Sequence, residues 1–340
     1  MEITALEGLG IGLTGIALTG SGSAVPDQVV DNEALAQVVE TSDEWIASRT
    51  GIRQRRILPP TATLADLAAQ AGDRALQAAG LAAIDLDLIV LATSTADDLF
   101  GTAAQVQAKL GASRAVAFDL TAACSGFVFA LATAAQFVRT GVYQNVLIIG
   151  ADALSRWVDW SDRRTCILFG DGAGAVVMQQ NDTDQLLGFE MRSDGQLNSH
   201  LNLVHQGEPR SVVPDVTCGQ GNYTPVTMNG QEVYRFAVTR VPEVVEKALF
   251  RAGLTAEAVD WLVLHQANQR ILDAAATRLK IPGEKVLSNL GQYGNTSAAS
   301  IPLVLDEAIR QGRVKSGDIL AMAGFGAGLS WGGAIVRWGR

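Results

Sequence analysis

A layered α/β body built from two similar halves is the fold class this 340-residue chain predicts, on three observations. Short apolar runs alternate with longer stretches of helical periodicity, the pattern of buried strands covered by helices. A-G-L-A-A-I-D-L-D-L-I-V-L at 79–91 returns as A-G-L-T-A-E-A-V-D-W-L-V-L at 252–264, with Gly80 and Gly253 offset by 253 − 80 = 173, half the chain. C-S-G-F-V-F-A-L-A-T-A-A-Q-F-V-R-T-G at 124–141 likewise aligns with N-T-S-A-A-S-I-P-L-V-L-D-E-A-I-R-Q-G at 295–312, at an offset of 171, which makes Cys124 and Asn295 positional counterparts. Two co-linear pairs at nearly one offset indicate a duplication, and the repeat is too long for a solenoid.

Residues 1–14 read as an N-terminal extension, 15–182 as the first half and 183–340 as the second, divided at the polar N-D-T-D of 181–184. The glycines of G-L-G-I-G-L-T-G at 8–15 imitate a dinucleotide-binding pattern, but no strand precedes them, so they predict a flexible lead-in. From Thr63 to Ala79, residues Leu64, Leu67, Ala68, Ala71, Ala75 and Leu76 repeat at helical spacing, with Thr63 as cap and Gly80 as stop. Apolar runs at 88–92, 145–150, 174–178, 262–264 and 319–323 predict buried strands, and A-V-A-F-D-L at 115–120 predicts a further strand. A helix follows Cys124 and ends at Gly141, another follows His265, and a third begins near Thr296. F-G-D-G-A-G-A at 169–175 lacks the Lys-Ser/Thr ending of a phosphate loop and reads as a tight turn ahead of a strand. Residues 205–225, rich in Gly, Pro and polar groups, predict one long loop, which puts His205 in a loop, as His200 is.

Composition narrows the function. With 48% hydrophobic residues the chain buries a large core, while a net charge of −9 and a pI near 4.9 argue against a general nucleic-acid binder. The apolar stretch 9–18 has no basic residue before it and does not read as a signal peptide. No run approaches the roughly 20 apolar residues of a membrane span, so a soluble, cytoplasmic protein is expected. Three cysteines without Cys-x-x-Cys spacing argue against a disulfide framework and against structural zinc, and leave Cys166 and Cys218 structural or incidental.

Three polar residues stand at the mouths of apolar or small-residue segments. Cys124 follows a strand and opens a helix, where the positive end of the helix favours the thiolate over a thiol whose ordinary pKa is about 8.5. His265 ends an apolar strand, and Asn295 precedes a helix. Taken singly, each has a plainer explanation: a packed thiol, a satisfied buried histidine, a helix cap. Together they supply a nucleophile and two hydrogen-bonding partners, the set a condensing site needs. Trp45 and Arg49, one helical turn apart, could offer an indole face and a guanidinium to a nucleotide, but taken alone surface packing is their plainer explanation.

On T-S-D-E-W-I-A-S-R-T-G-I at 41–52, F-G-D-G-A-G-A at 169–175, H-Q-A-N at 265–268, G-N-T-S-A-A-S at 294–300 and F-G-A-G-L-S-W-G at 325–332, the chain resembles the β-ketoacyl-acyl-carrier-protein synthase III family. The resemblance runs from Gly15 nearly to the end. It implies a thiolase-like fold layered α-β-α-β-α, and a decarboxylative condensation of a short acyl-CoA, acetyl-CoA by default, with malonyl-acyl-carrier protein through an acyl-Cys124 intermediate. No metal or cofactor is implied, the CoA thioesters being substrates. It further assigns the oxyanion-binding amides to Cys124 and Ala327, although close relatives often carry Gly at the latter position. CoA contacts fall to Thr41, Trp45, Arg49, Arg163, Gly230 and Asn268. A homodimer is implied in which Leu99 or Phe100 closes the partner's acyl pocket, an intrachain core contact being the plain alternative. Carrier-protein docking falls to Arg235, Arg270 and Arg278, which equally suit solvated helix charge. Other family-III acyltransferases and polyketide-type synthases share Cys-His-Asn, a hydroxymethylglutaryl-CoA synthase adds a carboxylate base, and an inactive scaffold subunit has no need of the three residues.

Overall fold

The computed structural model describes residues 13–340; the lead-in reading of 8–15 and the extension 1–14 fall almost wholly outside them. Among the described residues a five-stranded sheet takes the order β1 (Gly15–Ala24), β5 (Asp171–Asn181), β4 (Asn145–Ala153), β2 (Leu88–Ala92), β3 (Val116–Leu120). A four-stranded sheet takes the order β7 (Trp261–Leu264), β8 (Ile319–Gly326), β9 (Ser330–Arg337), β6 (Leu186–Ser193). The second sheet repeats four strands of the first. β7 runs parallel to β8 as β2 does to β4, and the next two pairings are antiparallel in both sheets.

Helices make the other layers. α2 (Leu64–Ala79) covers the outer face of the first sheet, its start fixed by a reciprocal cap between Thr63 and Asp66 and its end by left-handed Gly80. α4 (Gly230–Ala252) and α5 (Gln269–Leu279) cover the outer face of the second. Between the sheets lie α3 (Gly126–Arg139) and α6 (Ser300–Arg310), and the central core draws Phe127, Leu131, Val304 and Leu305 from them against Val90, Ile148, Val263 and Met322. The result is α-β-α-β-α. A buried middle layer explains why 124–141 shows almost no polar face.

The structure corrects one pairing. The 3-10 turns Ala123–Ser125 and Ser297–Ala299 precede α3 and α6, and both open on a left-handed residue, Ala123 at φ 47° and Ser297 at φ 51°. Cys124 is therefore the counterpart of Ala298, at an offset of 174, and not of Asn295. An apolar helix pattern matches itself when slipped by about one turn, which is how the sequence comparison lost three residues. Packing across the halves agrees: a Cβ on Gly324 would lie 3.0 Å from the Cys124 carbonyl oxygen, and one on Gly150, 174 positions earlier, 2.2 Å from that of Ala298.

Residues 205–225 are not one loop. Strands His205–Val213 and Val216–Tyr223 form an antiparallel hairpin, so His205 stands on a strand, while His200 ends a 3-10 turn. Every residue of both strands is exposed, so no burial pattern marks them in the sequence. Backbone pairing, a turn with Asp215 at φ 66°, and Tyr223 packed edge-on against Trp157 and His205 hold the hairpin. Cys218 lies exposed on it, Cys166 is buried in the body, and all three cysteines are free. No helix among the described residues is long and apolar enough to cross a membrane.

Candidate active site

The two 3-10 turns meet between the sheets, and the candidate residues collect around them. A Cβ on Gly126 would touch Ala298 Cβ at 3.6 Å. Cys124 and Asn295 are each 7% exposed and His265 2%, so the set is enclosed. β8 reaches Cys124 from the second half, and its end must be bare: a Cβ on Gly326 would sit 2.5 Å from the Cys124 nitrogen. Phe325, the residue before it, lies edge-on to the His265 ring at 5.4 Å.

Asn295 is held by backbone and side chain together. Its N–H donates to the Leu168 carbonyl at 2.9 Å and its own carbonyl accepts from Gly170 at 3.0 Å, so F-G-D-G forms a short bridge and then strand β5. Gly294 before it adopts φ 64° and ψ −156°, a conformation open essentially to glycine alone. Asn295 Oδ1 accepts from the Ser297 N–H at 2.9 Å, as a cap. With the oxygen so engaged, the amide Nδ2 hydrogens remain for a substrate.

His265 Nδ1 lies 2.7 Å from Ser300 Oγ, which also accepts from the Gln266 N–H at 3.3 Å. A hydroxyl that accepts from Gln266 has its own proton to give to Nδ1, and this tautomer leaves Nε2–H as a donor. Burial pulls the imidazole down to about 3, a backbone hydrogen bond with Ser297 opposing it only in part, so the ring is neutral. A neutral ring can donate without carrying charge into the core.

The thiol departs from expectation. Burial, with the nearby Asp152 carboxyl, pushes Cys124 up to about 12, and a hydrogen bond from the Ser297 hydroxyl offsets only part of this. A helix N-terminus contributes about 0.3–1 kcal/mol, less than the cost of enclosing a charge. At rest Cys124 is a thiol.

Trp45 on α1 (Asp43–Thr50) meets two guanidiniums, Arg49 at 4.4 Å and Arg163 at 5.1 Å from the ring centre. Asn268 caps α5 and donates to the Arg49 carbonyl at 3.1 Å, tying the two helices together. Gly230 opens α4 beside Met228, which packs in the same cluster as Trp45, and the Thr41 hydroxyl is buried with no partner among the described residues. Arg270 donates to the Ser48 carbonyl on α1, Arg278 to Thr239 on α4, and Arg235 pairs with Glu232 one turn from Thr239, all three being exposed. Leu99 and Phe100 are 84% and 98% exposed, which rules out an intrachain core contact for either. Ala327 follows Gly326 directly at the end of β8. Ser297, Ser300 and Phe325 lie inside quoted segments yet gave no signal of their own, because their roles arise from contacts across the fold. Among the described residues no group of three His, Cys, Asp or Glu side chains is placed to hold a metal.

A duplicated five-layer fold enclosing Cys, His and Asn where its halves meet is that of the thiolase-like, acyl-transferring condensing enzymes. Residues 118–195 match the family described as 3-oxoacyl-acyl-carrier-protein (ACP) synthase III, and residues 249–338 its C-terminal part. The beta-ketoacyl-acyl-carrier-protein synthase III of Nostoc sp. is 67% identical over 326 residues, 96% of this chain and 99% of that one. The crystal structure of 3-oxoacyl-acyl-carrier-protein synthase III from Aquifex aeolicus superposes with a TM-score of 0.87 at 45% identity, covering 95% of this chain and all of that one. The priming beta-ketosynthase of the R1128 polyketide pathway superposes with a TM-score of 0.88 at 35% identity, covering 96% of this chain and 97% of that one. The chain belongs to the 3-oxoacyl-acyl-carrier-protein synthase III family.

Proposed function

We propose that the enzyme condenses a short acyl-CoA, acetyl-CoA by default, with malonyl-acyl-carrier protein, giving a 3-oxoacyl-carrier protein, CO2 and CoA and so initiating fatty-acid synthesis. The observation that carries this reading is that the turn Ser297–Ala299 and the first residue of α6, Ser300, hold Asn295 and His265 respectively beside the Cys124 turn. In the first half-reaction the Cys124 sulfur attacks the thioester carbonyl, the bond to CoA sulfur breaks, and the thiol proton leaves with CoA. The Cys124 and Ala327 amides receive the oxyanion, and bare Gly326 keeps a side chain off the first of them. With a resting thiol, deprotonation must accompany attack rather than precede it.

In the second half-reaction the malonyl carbon–carboxylate bond breaks, CO2 departs, and the electron pair becomes an enolate on the thioester. His265 Nε2–H and Asn295 Nδ2–H donate to that oxygen. The carbanion attacks acyl-Cys124, the carbon–sulfur bond breaks, and the thiol regains a proton from solvent. The thioester is itself the electron sink, so the reading asks for no cofactor or metal.

The same reading assigns the CoA adenine to Trp45 and Arg163, with Thr41 and Arg49 nearby, and the pantetheine arm to Gly230 and Asn268. Carrier docking goes to Arg235, Arg270 and Arg278. We further propose a cytoplasmic homodimer in which Leu99 or Phe100 enters the partner's acyl pocket, supported by their exposure and by three free cysteines. Intact-protein mass spectrometry after mixing with a panel of acyl-CoA esters tests nucleophile, donor and chain length together. An acyl adduct is expected on the wild type and none on Cys124→Ala, and an adduct persisting on that variant would sink the assignment.

A further inference from the structure

Equivalent amides in the two halves face different partners. The Cys124 N–H faces Gly326, whereas its counterpart, the Ala298 N–H, faces Asp152, since 298 − 124 and 326 − 152 are both 174. Asp152, the last residue but one of β4, is fully buried. Its Oδ2 accepts from Ala298 N–H at 3.2 Å, and its Oδ1 accepts from Ser94 N–H at 2.8 Å, Thr95 Oγ at 2.9 Å and Thr93 Oγ at 3.1 Å. One carboxyl thus ties the loop after β2, in the first half, to the turn that opens α6 in the second. That turn carries Ser297 in the left-handed region, a conformation non-glycine residues keep only when their surroundings hold it. Its Ser297 N–H fixes Asn295, and Ser300 one step on fixes His265.

We propose that Asp152 is a positioning residue for malonyl decarboxylation: its carboxyl takes the Ala298 amide, the second half's counterpart of the Cys124 oxyanion amide, while the counterpart of the Ala327 amide, Ala153 N–H, is taken by Thr95 Oγ at 2.8 Å, and the carboxyl there fixes the turn that aims Asn295 and His265. The proposal rests on the reading that those two side chains donate to the enolate oxygen. In the first half the same amides are left for a transient anion, and in the second resident side chains occupy them. The duplication has kept one cradle for chemistry and turned the other into a clamp.

The test compares Asp152→Asn with the wild type in two separate half-reactions. Asparagine keeps the shape, but its NH2 must face either Ala298 N–H or the three donors on the other side. Acyl transfer from acetyl-CoA, read by intact mass, is expected to stay within about threefold, while kcat for CO2 release from malonyl-carrier protein falls about 10- to 100-fold at unchanged KM. Thr95→Val removes one donor to the carboxyl, and with it the acceptor of the Ala153 N–H, without touching the site; it should cause a loss of the same kind, which covers a failure of the Asn variant to fold. Parallel loss of both half-reactions, or no selective loss of CO2 release in either variant, would overturn the proposal. His265→Ala is measured alongside. Normal CO2 release by His265→Ala removes the underlying reading and the proposal with it, whereas a loss there with both Asp152→Asn and Thr95→Val normal sinks the Asp152 proposal alone.

Discussion

Replacing Gly326 by alanine adds one methyl group at the point where the second half touches Cys124, the proposed nucleophile of the first. The backbone there is extended, φ −166° and ψ −168°, which any residue adopts, so the effect is steric and not conformational. The new Cβ would stand 2.5 Å from the Cys124 nitrogen, 3.0 Å from Ala123 Cβ and 3.2 Å from Cys124 Cα. Relaxed contacts begin near 3.5 Å, so strand end and turn must part by about 1 Å. A displacement of that size beside reacting atoms costs on the order of 100-fold, and a lost oxyanion donor about 100- to 1000-fold. Overpacking costs about 1–3 kcal/mol against a total stability of about 5–15, so the variant should fold. The assay is the time course of acyl adduct formation with acetyl-CoA, beside a thermal melt. Slowing of at least about 100-fold with a folded protein is expected, and a rate within about threefold of wild type would refute the role given to the bare strand end.

Three further outcomes are expected. His265 titrates near 6.5 in the unfolded chain but near 3 in the fold, so between these values the unfolded chain alone binds the proton and stability falls as pH drops. At about 1.4 kcal/mol per pH unit the full window is worth roughly 5 kcal/mol, so urea melts of His265→Gln should lose less stability than wild type from pH 6.5 to 4, and parallel curves would contradict the buried neutral ring. Alanine at Leu99 or Phe100 should alter acyl chain-length preference, and an unchanged profile, or light scattering showing monomer in active enzyme, would count against the shared pocket. Arg270→Glu should raise KM for malonyl-carrier protein about two- to fivefold in a salt-sensitive way while acylation stays near normal. Equal impairment with malonyl-CoA would rule out carrier docking at Arg270.

The sequence by itself determined the duplicated α/β fold, the helix over 64–79 with its cap and stop, and the buried strands, because apolar periodicity and cap chemistry are local. Cys124, His265 and Asn295 were legible as strand ends and helix starts, positions that a layered fold brings to one level. The hairpin at 205–223 was not, since exposed strands paired only through backbone leave no hydrophobic alternation. Tertiary structure alone decided that Cys124 pairs with Ala298, because a helical pattern slipped by a turn still matches while backbone dihedrals do not. It also decided the protonation states. A helix start promised a thiolate and an exposed imidazole would titrate near neutrality, yet both groups are neutral in the fold because enclosure between two sheets penalises charge more than one helix end repays. Asp152 was silent in the sequence for the same reason, its meaning lying in an amide 146 residues away that only folding brings to it.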